Sequence, residues 1–342
     1  DELTIIQSCK EYRESLSKNY SGKSLALYAS KANSSLVLSS IVASEGLGID
    51  VVSEGELITA LRGGIPSNKI VLHGNNKSYT ELKLAYKNDV IIVLDNQHDI
   101  NLLETIIKPG ERKARLLIRF TPGIECHTHE YIKTGMVDSK FGFNFSELED
   151  IFIQFKNIEW GDLIGLHAHI GSQIFEVEPH RDLAAVMASA LQMGRSFGHP
   201  IDILNVGGGL GIRYITDDDP PSISTWVKVV SESISDACKN RSLELPILMC
   251  EPGRSIVGNI GTLVSKIIYI KENKRKNFVI LDAAMNDLMR PALYGATHKI
   301  LPSLRTSKHS KKTYEFVGPI CESTDKFTTL KKFQKLQEKD VI

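Results

Sequence analysis

The stretch LALYASKANSS, residues 25–35, decides how the rest of the chain is read. A short apolar run ends on a lysine, Lys31, and small polar residues follow at once. As a strand covered on both faces, it places a charged amine at a strand end. Seven further runs of the same kind lie downstream: GIDVVS, KIVLHGN, VIIVLDN, RLLIRFTP, LIGLHAHIG, IDILNVGGG and PILMCEPG. Segments with apolar residues at helical spacing separate them, such as SSLVLSSIVASEGLG, EGELITALRGG and HRDLAAVMASALQMGRSFG. Eight strand–helix repeats predict an α/β fold with a TIM-type (β/α)8 barrel, and a doubly wound sheet is the alternative with the same alternation.

Past about Ser255 the rhythm changes. GTLVSKIIYIKE, NFVILDAA and YEFVGPICES are strand-like, with turn-rich segments and no long helix between them. The predicted division is a barrel over residues 1–257 and a β domain over 258–342. Both ends read as abrupt, a helical pattern at the start and strand-like residues at the close, so further sequence is expected on each side.

The 342 residues are 42% hydrophobic, enough for a sizeable core. Lys+Arg and Asp+Glu are 41 each, so no net basic charge points to nucleic acid. The five cysteines, Cys9, Cys126, Cys238, Cys250 and Cys321, are odd in number and lack a CxxC. That pattern predicts free thiols in a reducing compartment, the cytoplasm. No apolar run approaches the roughly 20 residues of a membrane span.

In a (β/α)8 barrel the chemistry sits at the C-terminal strand ends. The polar residues there are Lys31, Ser53, His73, Asn75, Asp95, Arg119, His167, His169, Gly207 to Gly209, Glu251 and Arg254. A partly desolvated lysine is suited to a Schiff base, and snorkelling or an ion pair is the plainer reading. NVGGGLG lets backbone N–H groups approach a phosphate, although a tight turn needs glycines too. CEPGRS brings Glu251 and Arg254 past the eighth run, as an acid and a clamp or as an internal ion pair. LHAHIGSQ presents His167 and His169 two apart, a spacing for zinc or for stacking on a flat ring.

YASKAN, HAHIGSQ, GGGLG, CEPGRS, DAAMNDLMRPALY and GPICESTD occur in this order. Together they closely resemble the diaminopimelate decarboxylase family of fold-type III pyridoxal-phosphate (PLP) enzymes, over residues 25–325. The resemblance implies a PLP-binding barrel followed by a Greek-key β domain, and removal of the carboxylate at the D-centre of meso-diaminopimelate to give L-lysine. It implies that Lys31 holds PLP covalently, that His169 stacks on the ring, and that Glu251 pairs with the pyridine nitrogen. Ser172, Gly207, Gly208, Gly209, Gly253 and Arg254 match the remaining cofactor contacts. Arg290 and Tyr294, with Arg254, match contacts to the substrate carboxylate. Cys321 matches the acid that reprotonates the substrate and Glu322 a contact to its distal amine. The CES segment serves the neighbouring subunit in this family, which implies a homodimer with shared sites and no metal. Ser30 stands where the family often has Leu or Val. The family's Gly-Ala-Tyr segment and the first β strand before its barrel fall outside residues 1–342.

Ornithine, arginine or carboxynorspermidine decarboxylases are rivals on the same fold. A metal-dependent barrel hydrolase built on His167 and His169 is a rival of another class. It needs ligands from other strands, and HTHE, residues 127–130, is the other histidine cluster.

Overall fold

The computed structural model of the protein describes residues 1–124, 139–304 and 311–342. Cys126 and the HTHE cluster therefore lie outside the described residues. The chain folds as two compact units, one of Asp1–Ile212 with Asp219–Ile260 and one of Arg213–Asp218 with Gly261–Ile342. The excursion Arg213–Asp218, which leaves the first unit for six residues, is a feature that a single boundary at residue 257 does not anticipate.

The first unit opens with helix α1 (Glu2–Asn19) and then alternates strand and helix. Its strands are β1 (Ser24–Ala29), β2 (Gly48–Val51), β3 (Ile70–Leu72), β4 (Ile91–Leu94), β5 (Ala114–Thr121), the two-residue β6 (Phe143–Asn144), β7 (Gly161–His167), β8 (Ile203–Asn205) and β9 (Ile247–Cys250). Eight pair in parallel and close into a ring, β1 joining β9 through Ser24↔Leu248 and β4 joining β5 through Ile92↔Leu116. The eight apolar runs of the sequence are these eight strands. β6 is an addition, paired among the described residues with the end of β5.

The runs are apolar throughout because both strand faces are covered. Leu27, Val71, Val93, Leu117, Ile203 and Met249 fill the barrel interior. Tyr28, Ile49, Leu72 and Leu166 alternate with them and pack outward among the helices. The turns after β2, β3 and β4 end in helix caps, Ser53, Ser78 and Asn96, each accepting from a backbone N–H one turn on. Short capped turns hold the strand ends rigid, which suits a site built there.

One ion pair in these turns is fully buried. Lys77 Nζ lies 2.6 Å from Asp99 Oδ2, and their side chains are 2% and 0% exposed. Lys77 also donates to the Gly74 carbonyl, and Asp99 accepts from the Asp95 backbone N–H. Asp99→Ala strands a buried ammonium, so it is expected to lower unfolding free energy by about 3–5 kcal/mol. Urea denaturation checks this, and replacing both residues by apolar ones of similar volume is expected to recover most of the loss.

The second unit is a four-stranded sheet of β10 (Ile267–Glu272), β11 (Asn277–Leu281), β12 (Lys311–Val317) and β13 (Lys326–Gln334), in that order. β11 and β12 run parallel and the outer pairs antiparallel. Ile267, Val279, Leu281, Tyr314 and Phe316 form its core. The strand KFTTLKKFQ escapes a hydrophobicity scan because lysines occupy three of its nine positions. RPALY forms a five-residue helix, α2 (Arg290–Tyr294). Cys9, Cys238 and Cys250 are buried free thiols, and Cys321 is an exposed one. Among the described residues, no helix is long and apolar enough to cross a membrane.

Candidate active site

Lys31 sits on a 3-10 turn, Ser30–Ala32, immediately after β1. Ser30 is buried and donates to Glu56 Oε2 at 2.7 Å, while Glu56 also accepts from the Val52 N–H. The serine at this position thus pins the turn. Lys31 itself is exposed, so the burial expected of a strand-end lysine is not met.

Glu251 follows β9 and is 8% exposed. Asn205 Nδ2 donates to its Oε1 at 2.6 Å, and His167 Nε2 lies 3.2 Å from its Oε2. His73 Nε2 lies 2.7 Å from Oε1, off the direction of a hydrogen bond, and 3.8 Å from Asp50. Burial alone raises a carboxyl pKa, but the imidazoles of His73 and His167 outweigh it and hold Glu251 well below the usual carboxylate range. His167 is pushed down to about 4, chiefly by burial, with Glu251 opposing. At neutral pH it therefore supports Glu251 as a neutral hydrogen-bond donor. Asp50 is pushed up to about 6 by burial against the pull of His73. Arg119 Nη1 lies 3.5 Å from Asp95.

His167 and His169 do not act as a pair. β7 ends at His167, whose ring meets Glu251 and lies edge-on to His73. His169 lies beyond the strand, half-buried, and its Nδ1 accepts from the Gly208 N–H at 3.2 Å. Burial, with the charges of Lys31 and Arg119, holds its ring well below the usual histidine range. Among the described residues, His73, His167 and Glu251 do bring three metal-capable atoms within 4.8 Å of one another. His167 and Glu251 already form a donor–acceptor contact there. The HxH metal pair is thus corrected by the end of the strand, which sends the two rings to different neighbours.

The loop after β8 requires glycine. Gly207 has φ +67°, and a Cβ on Gly208 would stand 2.2 Å from the Glu251 carbonyl oxygen. Beside it Arg254 Nε and Nη2 donate to Ser172 Oγ at 3.3 and 3.1 Å. One end of the barrel thus carries an exposed amine, a half-buried imidazole, a buried carboxylate and a backbone cradle with a guanidinium. These fit PLP: an aldehyde for the amine, a flat ring for the imidazole, a ring nitrogen for the carboxylate and a phosphate for the cradle. Sequence reasoning missed Asp50, Asn205 and the Lys77–Asp99 pair.

In the second unit, Arg290 lies over the Tyr214 ring at 4.4 Å and the Tyr294 ring at 5.9 Å. Tyr214 meets His298 edge-on at 5.0 Å. Cys321 and Glu322 are exposed on the loop after β12. Buried Asp325 holds that loop, accepting from the Ile320 and Met285 N–H groups at 2.9 and 2.7 Å.

Known proteins resemble this chain over most of its length. A diaminopimelate decarboxylase of Synechocystis sp. is 40% identical over 334 residues, 95% of this chain and 71% of that protein. One of Bacillus subtilis is 40% identical over 308 residues, 89% of this chain and 70% of the relative. The crystal structure of the Helicobacter pylori diaminopimelate decarboxylase complexed with L-lysine superposes with a TM-score of 0.90 at 34% identity, covering 100% of this chain and 83% of that one. Residues 3–258 match the family described as pyridoxal-dependent decarboxylase, pyridoxal binding domain, and a barrel that brings Lys31, Glu251 and a glycine cradle to one end accords with it: the chain belongs to the pyridoxal-dependent decarboxylases.

Proposed function

We propose that the protein decarboxylates meso-2,6-diaminopimelate to L-lysine and CO2, the last step of lysine biosynthesis, with PLP as cofactor. The observation that carries the reading is that its likeness to diaminopimelate decarboxylases extends through the second unit, where Arg290, Tyr294, Cys321 and Glu322 lie. A second α-amino-acid head is what separates this substrate from ornithine. A guanidinium fork held against two aromatic rings suits its carboxylate.

When bound, PLP supplies the electron sink for the pair left as the carboxylate departs. Lys31 would hold the cofactor covalently through its side-chain amine. His169 covers the ring. Ser172, Gly207, Gly208, Gly209, Gly253 and Arg254 hold the phosphate. Glu251, anionic among its donors, keeps a proton on the ring nitrogen. Arg290, Tyr294 and Arg254 orient the substrate by its carboxylate, and Glu322 meets the distal amine. The Cys321 thiol gives its proton to Cα. We assign Cys321 and Glu322 to the neighbouring subunit's site in an isologous homodimer, and the free thiols favour the cytoplasm.

The test is substrate discrimination by the PLP-loaded enzyme. CO2 is expected from meso-diaminopimelate with equimolar L-lysine, and kcat/KM for ornithine and arginine is expected to be about 10⁴-fold lower, because a site built for a polar head rejects analogues that leave it unpaired. Comparable turnover of ornithine or arginine overturns the assignment.

A further inference from the structure

Asn205, the last residue of β8, is wholly buried and joins two parts of the site. Its side-chain oxygen accepts from the Gly207 N–H at 3.0 Å, and its amide nitrogen donates to Glu251 Oε1 at 2.6 Å. The first bond dictates the second. A backbone N–H only donates, so the atom facing Gly207 is the oxygen and the NH2 turns to Glu251. An NH2 cannot accept, so Oε1 must present a lone pair there, and a donor aimed at the carboxyl favours its ionised form. Glu251 is tied to the same glycine again through its own backbone, whose N–H donates to the Gly207 carbonyl at 2.8 Å.

We infer that Asn205 is a positioning residue that favours the carboxylate form of Glu251 and sets its aim from the glycine that begins the phosphate cradle. The inference rests on the reading of Glu251 as partner of the ring nitrogen and adds what makes that partner reliable. One buried amide registers the ring end of the cofactor against its phosphate end. The titratable or charged groups facing Glu251 are His73 after β3, His167 of β7, His169 just past β7, Asp50 of β2, Arg119 of β5 and Cys250 of β9. His169 also touches the glycine loop, through Gly208, whereas Asn205 hydrogen-bonds both the Glu251 carboxylate and Gly207.

Asn205→Asp isolates the donor, because the new side chain still accepts from Gly207 but sets a second carboxylate against Glu251. In the holoenzyme kcat at pH 8 is expected to fall roughly 10- to 100-fold, as when a group orienting a functional side chain is lost at a metal centre. The deficit is expected to shrink as pH falls, because a proton shared by the two carboxylates restores a donor. Difference infrared spectra of the cofactor-free protein supply a readout independent of turnover. The variant is expected to show one titrating protonated-carboxyl band beyond those of the unaltered protein. Asn205→Ala is expected to lose kcat at every pH while still binding PLP. Glu251→Gln, measured in parallel, separates the two levels of the argument. If it is impaired while Asn205→Asp has normal kcat, or a pH-independent loss without the extra band, the positioning role is overturned alone. If Glu251→Gln is normal, the reading of Glu251 falls and the inference with it. Should the acidic variant not fold, Asn205→Ala decides: normal kcat with PLP bound overturns the role, and reduced kcat with PLP bound supports it.

Discussion

Lys31→Ala is expected to abolish covalent attachment of the cofactor and decarboxylation together, while leaving the fold intact. Borohydride reduction followed by mass measurement should add one pyridoxyl phosphate to the unaltered chain and none to the variant. Activity should drop by more than about 1000-fold, since no other amine replaces the covalent anchor. The residue is exposed on a turn already held by Ser30 and Glu56, so the substitution removes no core contact. Its cost in stability should stay within about 0.5 kcal/mol, as for other surface changes. The glycine cradle, Arg254 and Glu251 remain, so PLP should still bind, reversibly and more weakly. A variant that keeps both the added mass and the turnover removes Lys31 from the mechanism.

Subunit mixing carries the second large effect. Cys321→Ala removes a proton donor and is expected to lower kcat by about 10²–10⁴-fold. Alone, Lys31→Ala and Cys321→Ala chains are each nearly inactive. After subunit exchange, a heterodimer with shared sites has one site that draws Lys31 from one chain and Cys321 from the other, both intact, and a second site lacking both. Half of a statistical mixture is heterodimer, so activity should return to roughly a quarter of the unaltered enzyme if the two sites act independently. Exchange is verified by native mass measurement. Verified exchange without recovery shows that Cys321 serves its own chain's site or does not donate the proton.

The barrel was legible because burial on both faces writes each strand as an unbroken apolar run, and all eight runs became strands. The polar strand ends pointed to His73, His167 and Glu251, which the structure brings together around one carboxylate. The partners of that carboxylate were less visible. Asn205 lies inside NVGGGLG, where glycines draw the eye, and its role depends on two hydrogen bonds that no spacing encodes. Asp99 sits at helical spacing among polar residues and reads as a solvated position until Lys77 is found against it. The two histidines of HAH read as one face of a strand, but the strand stops at the first. Lysines masked the last strand of the sheet, since an alternating pattern with one wet face carries half the apolar signal of a barrel strand.

The ring closes only where β1 meets β9, residue 24 against residue 248, and Ala29 donates to the Pro252 carbonyl just beyond. During synthesis Lys31 therefore leaves the ribosome long before Glu251, and the glycine cradle emerges between the two. Strands far apart in sequence must wait for each other, which slows folding and leaves early strand edges unpaired. Cofactor capture that uses both Lys31 and Glu251 is consequently a late event, available only to a nascent chain extended past the ninth strand. PLP in such a cell would bind finished barrels in preference to partial ones, and by mass action would hold them closed.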